Sequence, residues 1–237
     1  MPSPFLTAEW QWLAMLNYEI DPAALRPFVP AGTELDQHDG KTYVSVVGFF
    51  FANTRLRGHA IPYHTHFEEV NLRFYVRRSV GKESRRGVVF IKELVPRRAI
   101  AWTARWFYNE NYVAVPMTHR NEKYGAMRKV AYEWKIDEQS HCLAVRTEGD
   151  SRLTQENSLE EYITEHYWGY VRQRNGATVE YRVEHPRWRV WPARDATLSC
   201  DVEALYGKTF APFLKPTPAS AFLADGSEVT VYTGARI

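Results

Sequence analysis

The sequence predicts a mainly β protein with a few short helices, organised as a curved, largely antiparallel sheet or barrel. Aromatic and β-branched residues recur in short segments bounded by Gly, Pro or Asp, as is typical of strands. The predicted helices are fewer and do not alternate regularly with the strands, which excludes a doubly wound parallel sheet. No low-complexity linker and no repeat of roughly 20 to 50 residues divides the chain, so we expect one domain over residues 1–237.

The predicted strands are distributed along the whole chain. They cover residues 12–20, 42–52, 67–77, 88–95, 129–136, 143–147, 178–183 and 229–232. Capping residues mark the helices: Asp21 before Pro22 is an N-cap signal, and Ser158 with Glu161 three residues later forms a capping box. On these and similar signals, the predicted helices cover residues 23–29, 99–108, 159–171 and 201–206.

Composition excludes several classes of protein. With 45% hydrophobic and 24% charged residues the chain is not disordered as a whole, and no apolar run reaches the roughly 18 residues of a membrane span. Cys142 and Cys200 are the only cysteines and lie far apart, which argues against a disulfide framework or a cysteine zinc site. The first residues do not have the pattern of a secretory signal. We therefore expect a cytoplasmic protein that does not bind membranes.

Charge and motifs exclude nucleotide chemistry. A net charge of +2 is too small for a dedicated nucleic-acid binder. The sequence contains no glycine-rich nucleotide loop and no serine or zinc hydrolase motif, so we expect no cofactor. The basic cluster around Gly81 is interpreted as a solvated hairpin between two strands.

The predicted strand over residues 67–77 carries an unusual polar row. Side chains alternate between the faces of a strand, so Glu69, Asn71, Arg73 and Tyr75 share one face and apolar residues occupy the other. If this row faces a cavity, Arg73 can hold a carboxylate and Glu69 can act as acid or base, while Asn71 and Tyr75 orient the ligand. The alternative is an ordinary polar sheet face in contact with water.

Lys92 is a second candidate ligand-binding residue. By alternation it shares a face with Phe90 and Leu94, and an apolar setting lowers the pKa of an amine and favours its nucleophilic form. The alternative is a lysine at a strand end whose ammonium group extends to solvent.

A metal site is a further alternative. His64, His66 and Glu68 are spaced by two residues, so an extended segment places all three on one face. The preceding Ile61 and Pro62 indicate a loop, and this spacing arises easily by chance. We therefore predict no metal site, and leave this His/Glu set as the alternative.

Several segments in order resemble one family over nearly the whole chain. They are residues 16–30, 34–36, 67–77, 87–90, 104–105, 158–167 and 185–188. Together they resemble the YqjF-like family of unknown function, which is grouped with the acetoacetate decarboxylase-like superfamily. The resemblance implies an acetoacetate decarboxylase-like fold around a central cavity, and it adds Arg105 and Tyr112 to the candidate ligand-binding residues.

The resemblance does not extend to decarboxylase chemistry. The segment that corresponds to the Schiff-base lysine of the decarboxylases is close to residues 108–112, which contain no lysine. Two hypotheses remain: a lyase-like enzyme acting on an oxo acid or similar small organic anion through Glu69 and Arg73, or a non-catalytic protein that binds such a ligand. The sequence leaves substrate identity and homo-oligomerisation open.

Overall fold

The computed structural model describes residues 3–96, 111–215 and 217–237, and within these ranges the protein is mainly β, as predicted. Sixteen strands form one hydrogen-bonded sheet in this part of the chain. In chain order they are β1 (Pro4–Ile20), β2 (Glu34–Leu35), β3 (Thr42–Leu56), β4 (His59–Ala60), β5 (Phe67–Val80), β6 (Glu83–Val95), β7 (Tyr112–Ala114), β8 (Met117–Tyr124), β9 (Met127–Ile136), β10 (Gln139–Glu148), β11 (Arg152–Leu153), β12 (Trp168–Arg172), β13 (Thr178–Glu184), β14 (Arg189–Ser199), β15 (Ser220–Tyr232) and β16 (Ala235–Arg236).

Seven of the strands are paired in a closed ring. The order β13-β12-β6-β5-β3-β1-β15 closes because β13 also pairs with β15, where Val183 lies opposite Val231. Most pairs are antiparallel, but β12 with β6 and β6 with β7 are parallel. A branch of β14, β10, β9 and β8 continues from β15. The curved sheet therefore encloses an interior and carries a second layer outside it.

Strand β5 is buried on both faces. Its apolar row, including Leu72 and Phe74, packs in an outer core that also contains Tyr132 of the branch. Its polar row faces inward, where Phe49 and Phe67 belong to a second core. The alternative of a polar sheet face in contact with water is therefore wrong, because both rows of this strand are covered.

Gly48 and Gly87 lie so close to neighbouring strands that a side chain at either position would clash. A Cβ on Gly48 of β3 would lie 2.6 Å from the Tyr132 ring, and a Cβ on Gly87 would lie 2.6 Å from the Trp168 carbonyl oxygen. Gly87 lies opposite Trp168 in the parallel pairing of β6 with β12. A side chain at Gly87 would separate these strands.

The helices are short, and one differs from prediction. Asp21 Oδ1 accepts from Ala23 N at the start of α1 (Pro22–Leu25), and the chain continues as a 3-10 turn. Ser158 caps α2 (Leu159–Thr164) as expected, but the predicted continuation to residue 171 is wrong. The remaining helices are α3 (Val202–Tyr206) and α4 (Ala211–Leu214). The predicted helix over residues 99–108 lies outside the described residues. No described helix is long and apolar enough to cross a membrane.

Helix α2 ends early because the sequence that follows it favours a strand. Residues 168–172 combine aromatic and β-branched side chains with Gly169, which disfavours a helix interior, and they pair with β13 instead. The sequence did not predict strands β8, β12 and β14, the two- and three-residue strands β2, β4, β7, β11 and β16, or helix α4.

The basic hairpin between β5 and β6 is not simply solvated, contrary to the expectation. Arg78 and Arg85 both donate to the buried Glu180, at 2.9 and 2.6 Å, and Arg86 Nε donates to Asp36 at 2.7 Å. These ion pairs attach the hairpin to β13 and to the chain that precedes β3.

Candidate functional site

The enclosed interior contains a cavity of about 240 Å³. Its walls are largely apolar and aromatic, and they include Trp10, Leu13, Phe49, Phe51, Phe67, Phe90 and Trp188. A group of polar residues also lines it; these are Thr54, His64, Glu69, Asn71, Arg73, Glu93, Tyr112, Thr164, His166, Tyr181 and His185. The cavity therefore offers an apolar space with a few polar groups, as small-molecule sites commonly do.

Glu69 is 3% exposed and lies in a hydrogen-bonded setting. Asn71 Nδ2 donates to its Oε1 at 2.9 Å, and the Tyr112 side chain also bonds it. Burial raises the pKa of Glu69 to about 7, although these two bonds and the charge of Arg73 favour the carboxylate. A carboxyl group in this state can donate or accept a proton near neutral pH.

Arg73 is 8% exposed, and its guanidinium group is only partly engaged. Its Nη2 donates a long bond of 3.4 Å to the Ile163 carbonyl oxygen, and its Nε has no hydrogen-bond partner among the described residues. The charge of Arg73 favours the Glu69 carboxylate, but the hydrogen bonds of Glu69 come from Asn71 and Tyr112. Arg73 is the one arginine or lysine among the described cavity residues.

His166, which follows α2, adds an imidazole to the cavity. Its ring packs against Tyr75 with centroids 4.6 Å apart, and its Nε2 lies 3.7 Å from Asp36 Oδ2. Burial lowers the pKa of His166 to about 4, so the ring is neutral at pH 7. Asp36 in turn accepts a hydrogen bond from Arg86. Arg86 and His166 together outweigh the effect of burial and lower the pKa of Asp36 to about 2.

The sequence-predicted residues occupy different places. Glu69, Asn71, Arg73 and Tyr112 line the cavity, whereas Tyr75 lies behind it with its hydroxyl 2.6 Å from Ser45 Oγ. Arg105 lies outside the described residues, as does most of the segment 108–112.

Lys92 is placed away from the cavity. A bulge in β6 sets Leu72 opposite Lys92 but Arg73 opposite Phe90, so Ile91 is an extra residue. Phe90 therefore lines the cavity, and the prediction that Lys92 shares its face is wrong. The Lys92 ammonium donates to the Leu205 carbonyl oxygen instead, and burial lowers the pKa of Lys92.

The His/Glu set does not come together. Glu68 Oε1 bonds His119 Nδ1 at 2.8 Å, His64 lines the cavity, and His66 lies near Phe50. No cluster of three or more metal-ligating side chains occurs in residues 3–96, 111–215 and 217–237.

Sequence reasoning missed six polar cavity residues: Thr54, Glu93, Thr164, His166, Tyr181 and His185. Glu93 was hidden by the bulge, since strict alternation places it on the face opposite Phe90. His166 was hidden by the overlong helix. The aromatic and β-branched residues from Tyr167 to Val171, which favour a strand, were the available signal.

A family model covers residues 7–228 of the chain, and its members are described as uncharacterized conserved proteins, DUF2071. The chain belongs to the DUF2071 family. Among its relatives is the uncharacterized protein YqjF of Bacillus subtilis (strain 168), 28% identical over 179 residues, which are 75% of this chain and 72% of YqjF. The resemblance to the YqjF-like family is thereby confirmed.

Solved structures similar to this DUF2071 protein have the acetoacetate decarboxylase-like fold. The enduracididine biosynthesis enzyme MppR complexed with pyruvate matches with a TM-score of 0.71 at 14% identity, covering 100% of this chain and 91% of MppR. Acetoacetate decarboxylase from Legionella pneumophila matches with a TM-score of 0.65 at 12% identity, covering 100% and 88%. At such identities the likeness establishes the fold alone.

Proposed function

We propose that the cavity binds a small organic anion, with its carboxylate at Arg73 and its apolar part against the aromatic walls. The observation that carries this proposal is the buried guanidinium of Arg73, whose Nε has no hydrogen-bond partner among the described residues. A buried cation is costly unless a counter-charge and hydrogen bonds compensate it. A carboxylate supplies both through two parallel bonds to one arginine.

The walls define the rest of the ligand. The cavity is smaller than the roughly 300 Å³ at which pockets for drug-sized ligands begin, so the ligand is small. Aromatic side chains such as Phe49, Phe51 and Trp188 surround it and favour an apolar or aromatic body. The pyruvate named with the structurally similar MppR belongs to the same class of oxo acids.

Glu69 favours catalysis over binding alone. Its carboxyl group lines the same cavity as Arg73 and is held by Asn71 and Tyr112, so it can move a proton at a carbon next to the oxo group. An imine mechanism is disfavoured, because all eight lysines lie among the described residues and none lines the cavity.

Calorimetric titration with a matched pair of compounds tests the binding proposal. Phenylpyruvate carries both the carboxylate and the aromatic body, whereas phenylacetone keeps the ketone and ring but lacks the charge. We expect phenylpyruvate to bind at least tenfold more tightly than phenylacetone, the factor that about 1.4 kcal/mol represents. Equal affinity for the two compounds, or no binding of phenylpyruvate, would overturn the proposal.

A further inference from the structure

His166 is presented to the cavity by the early end of α2. The helix stops at Thr164, and β12 begins at Trp168, so His166 lies in the short connection between them. It is 7% exposed and lines the cavity together with Arg73.

The contacts of the ring hold it in one plane. Tyr75 packs against one face, and Tyr162 meets the ring edge to face with centroids 5.5 Å apart. These two aromatic rings restrict the imidazole without using its nitrogens. Neither ring nitrogen of His166 has a hydrogen-bond partner in the part of the chain that the structure describes.

Asp36 decides which nitrogen carries the proton. Asp36 Oδ2 lies 3.7 Å from His166 Nε2. Arg86 Nε donates a hydrogen bond to the same oxygen, and the backbone N–H of Gln37 donates to Oδ1 at 3.1 Å. A fixed carboxylate on that side favours the tautomer with hydrogen on Nε2. Nδ1 then keeps its lone pair, on a ring that lines the cavity.

Burial, with help from two neighbouring guanidinium groups, keeps the His166 ring neutral. Asp36 precedes β3, Arg86 lies on β6, and Arg73 lies on β5. Asp36 favours the imidazolium, but burial and the two guanidinium groups disfavour it. A neutral ring with hydrogen on Nε2 is a hydrogen-bond acceptor at Nδ1 and not a donor there.

We propose that His166, positioned by Asp36, accepts a hydrogen bond from a hydroxyl group of the bound anion. The ligand class is therefore a carboxylate that carries a hydroxyl, such as a 2-hydroxy acid or the enol of a 2-oxo acid. This inference rests on the proposed function, because the carboxylate is held by Arg73.

Two probes that differ in one hydroxyl test the inference. Phenyllactate has the 2-hydroxyl, and 3-phenylpropionate lacks it. In calorimetric titrations of the wild-type protein we expect phenyllactate to bind about tenfold more tightly, as one net hydrogen bond allows. His166→Phe keeps a ring against Tyr75 but removes the acceptor, so the two probes should then bind equally well. The affinity of His166→Phe for 3-phenylpropionate should differ less than twofold from that of the wild type.

His141→Phe is the matched control. His141 is also buried, but its ring stacks on Trp134 and is not part of the cavity lining. The preference for phenyllactate should survive this substitution. Loss of preference in the control, or an undiminished preference in folded His166→Phe, would overturn the inference.

Nitrogen NMR on the wild-type protein keeps the inference testable if His166→Phe does not fold. Long-range ¹H–¹⁵N spectra should show His166 with hydrogen on Nε2, and its Nδ1 signal should move on addition of phenyllactate but not of 3-phenylpropionate. Hydrogen on Nδ1 in the free protein would contradict the inference. Binding of 3-phenylpropionate without any response of His166 would overturn it and leave the anion site intact. Failure of both probes to bind would overturn the proposed function as well.

Discussion

Asn71 Nδ2 donates a hydrogen bond of 2.9 Å to Glu69 Oε1, two residues earlier on the same strand. The bond sets the orientation of the Glu69 carboxyl group within the cavity wall. The Asn71 carbonyl oxygen is buried and has no hydrogen-bond partner among the described residues. One strand thus places a carboxyl group, an amide and, at Arg73, a cation in the lining of the same cavity.

Glu69→Gln should abolish proton transfer. In D₂O we expect the protein to accelerate exchange of the C3 protons of phenylpyruvate, with Glu69 removing a proton from carbon and returning a deuteron. Because Gln cannot exchange a proton in this way, the protein-dependent rate should fall about 100-fold or more. ¹H NMR follows the signal directly.

Glu68→Gln is the control for this experiment. Glu68 is adjacent on β5 but bonds His119 outside the cavity. With Glu68→Gln, the exchange rate of the phenylpyruvate C3 protons should stay near the rate with the wild type. Exchange that is as fast in Glu69→Gln as in the wild type would remove Glu69 from any acid–base role.

The stability of Glu69→Gln relative to the wild type should depend on pH. The pKa of Glu69 is raised from 4.5 to about 7 on folding, so the folded state holds a proton that the unfolded state has already lost in this range. The wild type therefore loses stability as pH rises from 4.5 to 7, whereas Gln does not titrate. When the pH is raised from 5 to 8, the free energy of unfolding of Glu69→Gln should increase by on the order of 1 to 3 kcal/mol relative to that of the wild type.

Urea unfolding of the variant and the wild type at pH 5 and at pH 8 measures this difference. The surface substitution Glu203→Gln controls for the loss of one carboxylate, and it should show little relative gain. Parallel pH profiles for Glu69→Gln and the wild type would mean that Glu69 is ionised throughout.

Much of the fold could be predicted because alternation along strands is a local property. The row Glu69, Asn71 and Arg73 faces one way in sequence and in structure, since β5 is regular at those residues. Lys92 and His166 were placed wrongly or missed for tertiary reasons. A bulge in β6 reversed the face of Lys92, and pairing with β13 replaced the predicted helix after Thr164.

Borohydride reduction in the presence of pyruvate should leave no specific adduct. An imine needs an amine in the cavity, and no lysine lines it. Lys92 is the residue to inspect first, because burial lowers its pKa, but its ammonium is bonded to the Leu205 carbonyl oxygen outside the cavity. Intact-mass analysis should show unmodified protein. A single reduced adduct mapped to one lysine would restore Schiff-base chemistry.

Val88→Phe should block the cavity without unfolding the protein. Val88 lines the cavity, so a larger side chain can occupy empty space instead of displacing packed neighbours. Phenylpyruvate binding should fall at least tenfold, while the thermal midpoint stays within a few degrees of the wild type. Val88→Ala is the control, since it enlarges the same space and should still bind. Unchanged affinity in a folded Val88→Phe protein would place the ligand elsewhere.

The most direct measurement is the affinity of a carboxylate for Arg73→Lys. Lysine keeps the positive charge but loses the planar pair of donors that matches a carboxylate. Calorimetry with 3-phenylpropionate should show a loss of roughly 2 kcal/mol or more, about thirtyfold in affinity. Arg77→Lys, on the same strand but paired with Glu34 in a half-exposed position, should bind as the wild type does. Equal affinity in wild type and folded Arg73→Lys would contradict the assignment of Arg73 as the anion site.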